Sequence, residues 1–515
     1  MNGIKVIPNG RAAFVSPINK PLSCQGQQRT ATIVGFSEMR RRNVLLVVAA
    51  GLLSAALSYL GTGLHPMWPL LWLAPIPLLA IAPRLRSSTA FLLAFVAWLI
   101  GGLNQWTYFT RVIELPLPAI ALALIIPAIV FGFGVLSMHS FLRRGSLFLA
   151  SLAIPVYWVA CEYLTEIGSP HSTWGNLAYT QMNFLPIIQV ASITGIWGIS
   201  FIVFLFAGTV AALLSGIGKP RQRRALAITV GGVVCALFLF GEWRLQSNPS
   251  AQSVAVTLMA KDVPMRVYLG SEEQALELLH EYADEVRRAT PAGTQVVILP
   301  EKIARVSESA LPQVDAFFSS AATVTHAAIV LGLVRRMPSA AYNSSRFYSP
   351  DGTLKANYDK HHLLPGVEPE KPGDKRVLLD QPSGRWGLQI CKDMDFPQLS
   401  REYASEGANL LLVPAWDFNL DRWLHARMAV LRAVENGFAL ARSARDGLLT
   451  LNDNRGRILA EATTVTGRFV SITGTVNVAR EKTFYAQAGD WFAWLCVATF
   501  VVLLASRFLE WKMVK

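Results

Sequence analysis

The chain has 515 residues, of which 52% are hydrophobic and only 16% are charged, and its formal net charge is +13. Soluble globular proteins carry about 25% charged residues, so this composition excludes a wholly soluble protein and places part of the chain in a membrane. The basic excess does not indicate a nucleic-acid partner, because no basic aromatic surface or nucleic-acid-binding motif accompanies it.

The N-terminal half is a series of apolar blocks behind a polar extension. Residues 1–38 are basic and without periodicity, so we expect a disordered extension rather than a signal peptide, which would have its own apolar core. Seven blocks within residues 39–244, and an eighth within 488–515, approach the roughly 20 helical residues that cross a bilayer. The blocks cover residues 43–60, 66–82, 88–105, 117–138, 147–163, 196–215, 225–241 and 489–506.

Basic residues occupy alternate connections between these blocks, at residues 40–42, 84–86, 143–144 and 219–224. By the positive-inside rule these connections and both termini face the cytoplasm. The long segment 245–487 then lies on the other side of the membrane. Since it contains equal numbers of basic and acidic residues, the net charge belongs to the membrane part and the extension.

Residues 245–487 alternate strand patterns with amphipathic helices. The apolar runs SVAVTLMA, TQVVILP, AAIVLGLV, RWGLQIC, NLLLVPA and LLTLND are typical of buried strands. A helix over 271–289 begins with a capping box formed by Ser271 and Gln274, and a second helix over 420–437 ends at Gly437. The pattern predicts an α/β layered domain with its own core.

Three polar residues close or follow strands of this domain: Glu301, Lys360 and Cys391. Catalytic groups are commonly held at strand ends, where a rigid sheet positions them. A thiol must lose its proton to attack a carbonyl, a carboxylate can accept that proton, and an ammonium can stabilise the resulting anions. The three residues therefore predict acyl transfer through a thioester.

Each of these residues has a plainer interpretation: Glu301 could be a surface carboxylate after a strand, and Lys360 could belong to a solvated charge run with Asp359. A single cysteine is more often a buried packing residue, although Cys391 is the only cysteine of the domain. His361 or His362 could pair with it as in a cysteine protease. Glu435, on the apolar stripe of its helix, is expected to be a buried structural carboxylate. No spaced Cys/His set exists, so no metal site is expected.

The order of Glu301 in LPE, Lys360 in YDKHHLLP and Cys391 in ICKDMDFP resembles the Glu-Lys-Cys triad of the nitrilase superfamily. With its membrane blocks, the chain is similar to the apolipoprotein N-acyltransferase family. The resemblance implies a multi-pass α-helical membrane domain plus an α/β nitrilase-like α-β-β-α sandwich. It makes Glu301 the general base, Lys360 the stabiliser of the tetrahedral intermediate and Cys391 the nucleophile, with Glu368 as the family's second glutamate.

The same resemblance implies the substrates. Members take an acyl chain from a phospholipid, phosphatidylethanolamine, and pass it to the amine of a lipoprotein's diacylglyceryl cysteine, without metal or cofactor. It places the protein in the bacterial inner membrane with its catalytic domain in the periplasm. The residues expected to contact substrate or line the entrance are Trp174, Asn176, Tyr179, Asp393, Trp416 and His425.

Departures from the family pattern leave the acyl acceptor open. Lys392 and Asp393 stand where the family has Tyr and Glu, and Asp417 follows Trp416 where the family has an Asn-Asp-Ala-Trp sequence. Another lipid-linked amine is therefore an alternative acceptor. A membrane-tethered amidase, in which water takes the thioester, and a non-catalytic scaffold that binds a partner remain further alternatives.

Overall fold

The computed structural model describes residues 44–247, 252–479 and 481–514, with side chains described up to residue 506. The predicted extension, residues 1–38, lies outside these residues. Residues 44–247 are almost wholly helical. Their helices are α1 (Val44–Gly61), α2 (Trp68–Leu73), α3 (Ile76–Ile81), α4 (Ser87–Gly102), α5 (Trp106–Arg111), α6 (Leu117–Arg143), α7 (Leu147–Ile167), α8 (Leu185–Ile188), α9 (Ala191–Thr194), α10 (Ile196–Leu214) and α11 (Pro220–Gln246).

Six helical segments of the described chain are long and apolar enough to cross a membrane. They are α1, α4 continued through α5, α6, α7, α10 and α11. The predicted block 66–82 is shorter and bent, because Pro75 interrupts it between α2 and α3. The predicted block 489–506 lies in the C-terminal helix that begins at Trp491 and has 24 residues. The protein is therefore a multi-pass membrane protein. Its described residues form helices in all eight predicted blocks, and six helical segments are long and apolar enough to cross a membrane.

Helices α7 and α10 lie at the centre of the membrane part. Other parts of the protein bury 61% of an 18-residue apolar segment of α7 and 78% of the corresponding segment of α10. Small residues let them approach closely. A Cβ added at Gly208 of α10 would lie 3.0 Å from Ile154 and 3.2 Å from the Ser151 carbonyl oxygen of α7. Such small-residue contacts are typical of helix pairs in lipid, where packing replaces the hydrophobic effect as the source of stability.

The α/β domain is built from thirteen strands and four main helices. The strands are β1 (Gln252–Lys261), β2 (Val296–Ile298), β3 (Arg305–Ser307), β4 (Ala328–Arg336), β5 (Ala341–Tyr348), β6 (Leu354–Asp359), β7 (Leu378–Gln381), β8 (Gly384–Leu388), β9 (Ala408–Trp416), β10 (Ala439–Arg445), β11 (Leu448–Asn452), β12 (Ile458–Thr463) and β13 (Phe469–Val478). The remaining helices of the chain are α12 (Met265–Tyr268), α13 (Glu272–Ala289), α14 (Leu311–Thr325), α15 (Pro397–Ser405), α16 (Arg422–Asn436), α17 (Phe484–Ala488) and α18 (Trp491–Val514).

The strands form two sheets that pack face to face. The first has the order β13-β1-β2-β4-β5-β6, with β3 beside β4, and the second has the order β12-β11-β10-β9-β8-β7. Apolar residues such as Val256, Leu388 and Leu412 fill the space between the sheets. Helices α13 and α14 cover the outer face of the first sheet, and α15 and α16 cover that of the second. This arrangement confirms the predicted α-β-β-α sandwich.

All six predicted strands are present, as β1, β2, β4, β8, β9 and β11. The capping box is also confirmed. The backbone amide of Gln274 donates to Ser271 Oγ, and the backbone amide of Ser271 donates to Gln274 Oε1. Helix α16 ends at Gly437, whose φ of 79° is the left-handed conformation that suits glycine. The other seven strands were not predicted. In β12 and β13 exposed residues break the apolar runs, and in β5 buried polar residues such as Asn343 and Ser345 do so.

Helix α16 joins the domain to the membrane part. Its apolar side chains Leu424, Met428 and Leu431 belong to the same buried cluster as the membrane helices. Residues from Ala50 onward accordingly form one compact unit that contains both parts. The sandwich is therefore held directly on the membrane helices.

Candidate active site

Glu301 lies just beyond β2, where the two sheets meet. Its backbone amide donates to the carbonyl oxygen of Ala415 in β9 of the second sheet, at 3.1 Å. Its side chain is 2% exposed, and Oε1 accepts from Lys360 Nζ at 2.8 Å and from Asn343 Nδ2 at 2.6 Å. Two donors hold the carboxylate in one orientation, as a general base requires.

Lys360 follows β6, and its backbone amide donates to the Asn343 carbonyl oxygen of β5. The buried ammonium donates to Glu301 Oε1 and to Glu368 Oε2, each at 2.8 Å. Burial alone lowers the pKa of a lysine, but the charges of Glu301 and Glu368 outweigh it and raise the pKa of Lys360 well above its usual value. Since an ammonium has three N–H groups, one remains for an oxyanion.

Glu368 is held more tightly than Glu301. Its carboxylate lies 2.7 Å from Lys302 Nζ and accepts from Lys360 Nζ, Asn343 Nδ2 and the Leu364 amide, the last at 2.7 Å. Burial raises its pKa, but the two lysines outweigh burial and lower the pKa to about 2. The predicted second glutamate is thus fixed as an anion at neutral pH.

Cys391 follows β8 and starts a 3-10 turn in a strained backbone conformation, with φ of 42°. Non-glycine residues rarely adopt this region, and its cost is typical of functional sites. The Sγ atom lies 3.4 Å from the Trp416 carbonyl oxygen. Burial and the charge of Glu301 raise the pKa of the thiol well above its usual value, against the opposing charge of Lys360. The resting thiol therefore needs a base to become a nucleophile.

The turn after Cys391 is fixed by Asp393, which is fully buried. Its carboxylate accepts from the Ile390 amide, the His362 amide and the Tyr358 hydroxyl at 3.0, 2.8 and 2.7 Å. These donors come from both sheets. The predicted contact of Asp393 with substrate is therefore less favoured by the geometry than a role in positioning the nucleophile's turn.

The connection between α7 and α8 packs against this turn. Thr173 donates its hydroxyl to the Asp395 carbonyl oxygen at 2.7 Å. Asn176 and Tyr179 are buried, with Asn176 Nδ2 donating to Glu166 at 2.9 Å and Tyr179 OH accepting from Arg432 of α16 at 3.0 Å. Both predicted entrance residues thus have protein partners and hold the loop against the domain.

Trp174 of the same connection keeps a partly exposed ring. It stacks on Tyr108 of α5, with ring centroids 5.5 Å apart. The Tyr108 hydroxyl donates to Asp421 Oδ2 at 2.6 Å. A partly exposed ring stacked on Tyr108 is compatible with a residue that lines the substrate entrance. That role of Trp174 stays a prediction.

His425 lies between two carboxylates of the domain. Its Nδ1 atom is 3.2 Å from Asp421 Oδ2 and 3.6 Å from Asp417 Oδ1. Burial lowers the pKa of His425, but these two charges outweigh burial and raise it to about 9. Asp417 also pairs with the buried guanidinium of Arg442. The imidazole is therefore a charged member of an ion-pair network, and only 14% of its side chain is exposed.

Trp416 contributes its backbone and its ring differently. Its carbonyl oxygen accepts from Cys391, whereas its indole N–H donates to Asp446 Oδ2 at 2.8 Å. The Arg445 guanidinium lies 4.0 Å from the ring centroid, and Tyr268 packs edge-on against the ring. The ring thus packs against protein on several sides, and its predicted contact with substrate remains a prediction.

The structure brings three of the four predicted catalytic residues into one hydrogen-bonded group, namely Glu301, Lys360 and Glu368. Cys391 faces that group, since the charges of both Glu301 and Lys360 act on the pKa of its thiol. Glu435 is fully buried, accepts from the Ile196 amide at 2.9 Å and pairs with Arg432, as expected for a structural carboxylate. Among the described residues, no group of three or more His, Cys, Asp or Glu side chains could hold a metal ion.

Sequence reasoning missed Asn343 and Lys302. Asn343 lies in β5, whose polar residues hid the strand, and it bridges Glu301 and Glu368 through one amide nitrogen. Lys302 follows Glu301 directly, and its side chain lies 2.7 Å from Glu368 and 3.1 Å from Glu370. The sheet register, which pairs Asn343 with Val334, brings Asn343 to the site, whereas Lys302 reaches it from the connection after β2.

A carboxylate, an ammonium and a thiol at the strand ends of an α-β-β-α sandwich define a nitrilase-type domain, here on a membrane helix bundle. Two family models match accordingly: the apolipoprotein N-acyltransferase N-terminal domain over residues 50–209 and carbon-nitrogen hydrolase over residues 254–486. The chain thus resembles the apolipoprotein N-acyltransferases in both its membrane part and its sandwich domain, and these matches make it an acyltransferase by class.

Similar proteins span nearly the whole chain. It is 29% identical to an apolipoprotein N-acyltransferase of Geobacter metallireducens, over 92% of this chain and 96% of that protein. It is 27% identical to an apolipoprotein N-acyltransferase of Rhodopseudomonas palustris, over 91% and 99%. A solved carbon-nitrogen hydrolase of Helicobacter pylori G27 is 21% identical with a TM-score of 0.38, covering 47% of this chain and 94% of that one.

Proposed function

We propose that this protein transfers an acyl chain from a phospholipid, through a thioester on Cys391, to the N-terminal amine of a lipoprotein's diacylglyceryl cysteine. The observation that carries the proposal is the 2.8 Å contact between the Glu301 carboxylate and the Lys360 ammonium, in a group that faces Cys391. The same proposal places the protein in the bacterial inner membrane, with the sandwich domain in the periplasm.

In the first half-reaction Glu301 takes the proton from the Cys391 thiol, and the thiolate attacks the ester carbonyl of the phospholipid. The free N–H of Lys360 donates to the oxyanion of the tetrahedral intermediate. When the ester C–O bond breaks, the leaving alkoxide takes the proton from Glu301. The products are a lysophospholipid and an acyl thioester on Cys391.

In the second half-reaction the acceptor amine attacks the thioester carbonyl, and Glu301 takes a proton from the attacking nitrogen. Lys360 again stabilises the oxyanion. The C–S bond breaks, an amide forms, and the sulfur recovers its proton from Glu301. The enzyme returns to its starting protonation state, so no cofactor is needed for the balance.

The membrane helices support lipid-linked substrates. A site held on the bilayer meets both lipids in two dimensions, and a lipid-filled site excludes the water that would hydrolyse the thioester. Burying an acyl chain contributes about 0.8 kcal/mol per methylene, so the apolar arms supply binding energy. Among the predicted substrate-contacting residues, Trp174, Trp416 and His425 keep partly exposed side chains.

The proposal is tested by incubating purified protein with phosphatidylethanolamine of one defined acyl chain and measuring its intact mass. We expect an added mass of one acyl group on Cys391 and release of the lysophospholipid. The Cys391→Ala variant should show neither. Absence of both products in the wild-type protein would overturn the proposal.

The acceptor is tested with the acylated protein and a diacylglyceryl peptide that has a free N-terminal amine. We expect the acyl chain to move to the peptide as an amide, and an N-acetylated peptide of the same sequence to stay unchanged. If the thioester is lost to water at the same rate with either peptide, water is the acyl acceptor and the proposed transfer to an amine fails.

A further inference from the structure

Two glutamates compete for the role of base at this site, because they share their main donors. Lys360 Nζ lies 2.8 Å from one carboxylate oxygen of each, and Asn343 Nδ2 donates to Glu301 at 2.6 Å and to Glu368 at 3.0 Å. Neither shared donor favours one glutamate strongly over the other. Something else must decide which carboxylate stays free to take the thiol's proton.

Lys302 breaks this symmetry. It follows Glu301 in the chain, yet its side chain turns away, with Nζ 2.7 Å from Glu368 Oε1 and 3.1 Å from Glu370 Oε2. Its φ of 49° is left-handed, a conformation that a lysine adopts only where its surroundings require it. The Arg445 guanidinium holds it there by donating to the Lys302 carbonyl oxygen at 3.2 Å.

The result is unequal numbers of donors on the two carboxylates. Among the described residues, Glu368 accepts from Lys302, Lys360, Asn343 and the Leu364 amide, whereas the Glu301 carboxylate accepts only from Lys360 and Asn343. Each donor to a carboxylate favours its anionic form. Glu368 is therefore the carboxylate that its donors hold as an anion, and its low pKa, about 2, agrees with this.

Lys302 also balances the charge of the buried group. The group contains three carboxylates, Glu301, Glu368 and Glu370, and two ammonium groups, so it carries one net negative charge when all are ionised. Without Lys302 it would carry two. Burial and the charges of Glu370 and Glu301 raise the pKa of the neighbouring Tyr268, whereas Arg305 and Arg445 oppose this. Burial and the charge of Glu301 raise the pKa of the Cys391 thiol, whereas Lys360 opposes this.

We infer that Lys302 is a positioning residue that keeps Glu368 anionic, so that the proton of Cys391 passes to Glu301 and to no other carboxylate. This inference rests on the proposed function, since it assigns the base of that reaction. Lys302 does not touch the reacting atoms. It acts through Glu368 and through the charge of the group.

The test is the pH dependence of Cys391 acylation by phosphatidylethanolamine in the Lys302→Met variant. Removal of the ammonium lets Glu368 hold a proton at higher pH. We expect the acid limb to move upward by about one pH unit, with about a tenfold slower acylation at pH values below it. The double variant Lys302→Met/Glu370→Gln restores the net charge and should recover at least half of the shift.

Arg346→Met is the matched control for loss of a buried cation. Arg346 lies on β5 and pairs with Asp315, outside the group, and only 6% of its side chain is exposed. Its pH profile should superimpose on that of the wild type. An unshifted limb in Lys302→Met, or a shift that the double variant leaves intact, would overturn the inference and leave Lys302 with a packing role.

A second readout separates this inference from the proposed function. Alkylation of Cys391 by iodoacetamide, followed by peptide mass, needs no acyl donor. Its pH profile should also move upward in Lys302→Met, because a more negative group disfavours the thiolate. If the protein is never acylated but the alkylation profile shifts, the proposed substrates fail and the role of Lys302 stands. If acylation occurs but neither pH profile shifts in Lys302→Met, the proposed acyl donor stands and the role of Lys302 fails.

Discussion

The substitution Gly332→Ala places a methyl group directly behind Glu301, the proposed general base. Gly332 lies in β4, and a Cβ there would be 2.3 Å from the Pro300 carbonyl oxygen and 2.8 Å from the Glu301 Cα. Both atoms are backbone and cannot rotate away. Ordinary contact begins near 3.4 Å, so the segment that carries Glu301 must move by about 1 Å.

A movement of this size disrupts the catalytic contacts. The distances from Glu301 Oε1 to Lys360 Nζ and Asn343 Nδ2 are 2.8 and 2.6 Å, and an added ångström exceeds hydrogen-bonding range. Misplacement of a reacting group by 1 Å costs about 100-fold in rate. Overpacking a buried backbone contact costs about 1 to 3 kcal/mol of stability. We therefore expect a folded, less stable protein with a large loss of acylation rate.

The assay is single-turnover acylation of Cys391 together with thermal unfolding in the same detergent. Gly231→Ala is the matched control, because a Cβ at Gly231 of α11 would meet nothing within 4 Å. That variant should keep its rate, and its stability should rise by about 0.5 to 1 kcal/mol, as for glycine to alanine in a helix. If Gly332→Ala acylated within twofold of the wild type with unchanged unfolding, the close approach of β4 to Glu301 would be refuted.

Three further predictions concern the nucleophile and its supports. Cys391→Ser should fold with an unchanged unfolding temperature but fail to transfer acyl groups; undiminished transfer would remove Cys391 as nucleophile. Tyr108→Phe removes the donor that meets Asp421 at 2.6 Å and should lower the free energy of unfolding by about 1 to 3 kcal/mol, whereas Tyr59→Phe, at a position 46% exposed, should have no effect. His425 has a pKa raised from 6.5 to about 9, so its ion pairs stabilise the fold fully below pH 6.5 and lose effect as the pH rises through 9. The stability gap between wild type and His425→Gln should therefore narrow from pH 6 to pH 10, and a constant gap would contradict the assignment.

The strands that carry the nucleophile and the base could be predicted from sequence, because both are short apolar runs that end in a polar residue. Cys391 ends LQIC and Glu301 ends VVILPE, and the sheets place both strand ends where they meet. The strand before Lys360 gave a weaker pattern, since β6 is partly exposed. Its lysine was singled out as a polar residue that follows the turn SPDG, and the family resemblance then gave it a role.

The partners of these residues could not be predicted in the same way. Asn343 reaches Glu301 only through the antiparallel register of β4 and β5, and no local pattern encodes that register. The left-handed conformation of Lys302 likewise depends on tertiary contacts, such as the bond from Arg445. A charged residue after a strand is usually solvated, so its burial was unexpected.

The partners of the residues predicted at the entrance could not be predicted from the sequence either. Tyr179 was expected to meet substrate, but its hydroxyl accepts from Arg432, more than 200 positions away in the chain. Aromatic residues near a membrane surface suit both an interfacial anchor and a buried contact, and composition does not separate the two. Only the packing of α16 against the α7–α8 connection decides between them.

The central claim is that an acyl group passes from lipid to amine through Cys391. The most direct measurement is a chase of the isolated acyl-protein, formed with a phospholipid of one defined chain, by a diacylglyceryl peptide. The account predicts that the mass lost from Cys391 appears on the peptide amine at equal stoichiometry, and that Glu301→Gln prevents the initial loading. Amide formation on the peptide by Cys391→Ala, without any adduct on the protein, would contradict it.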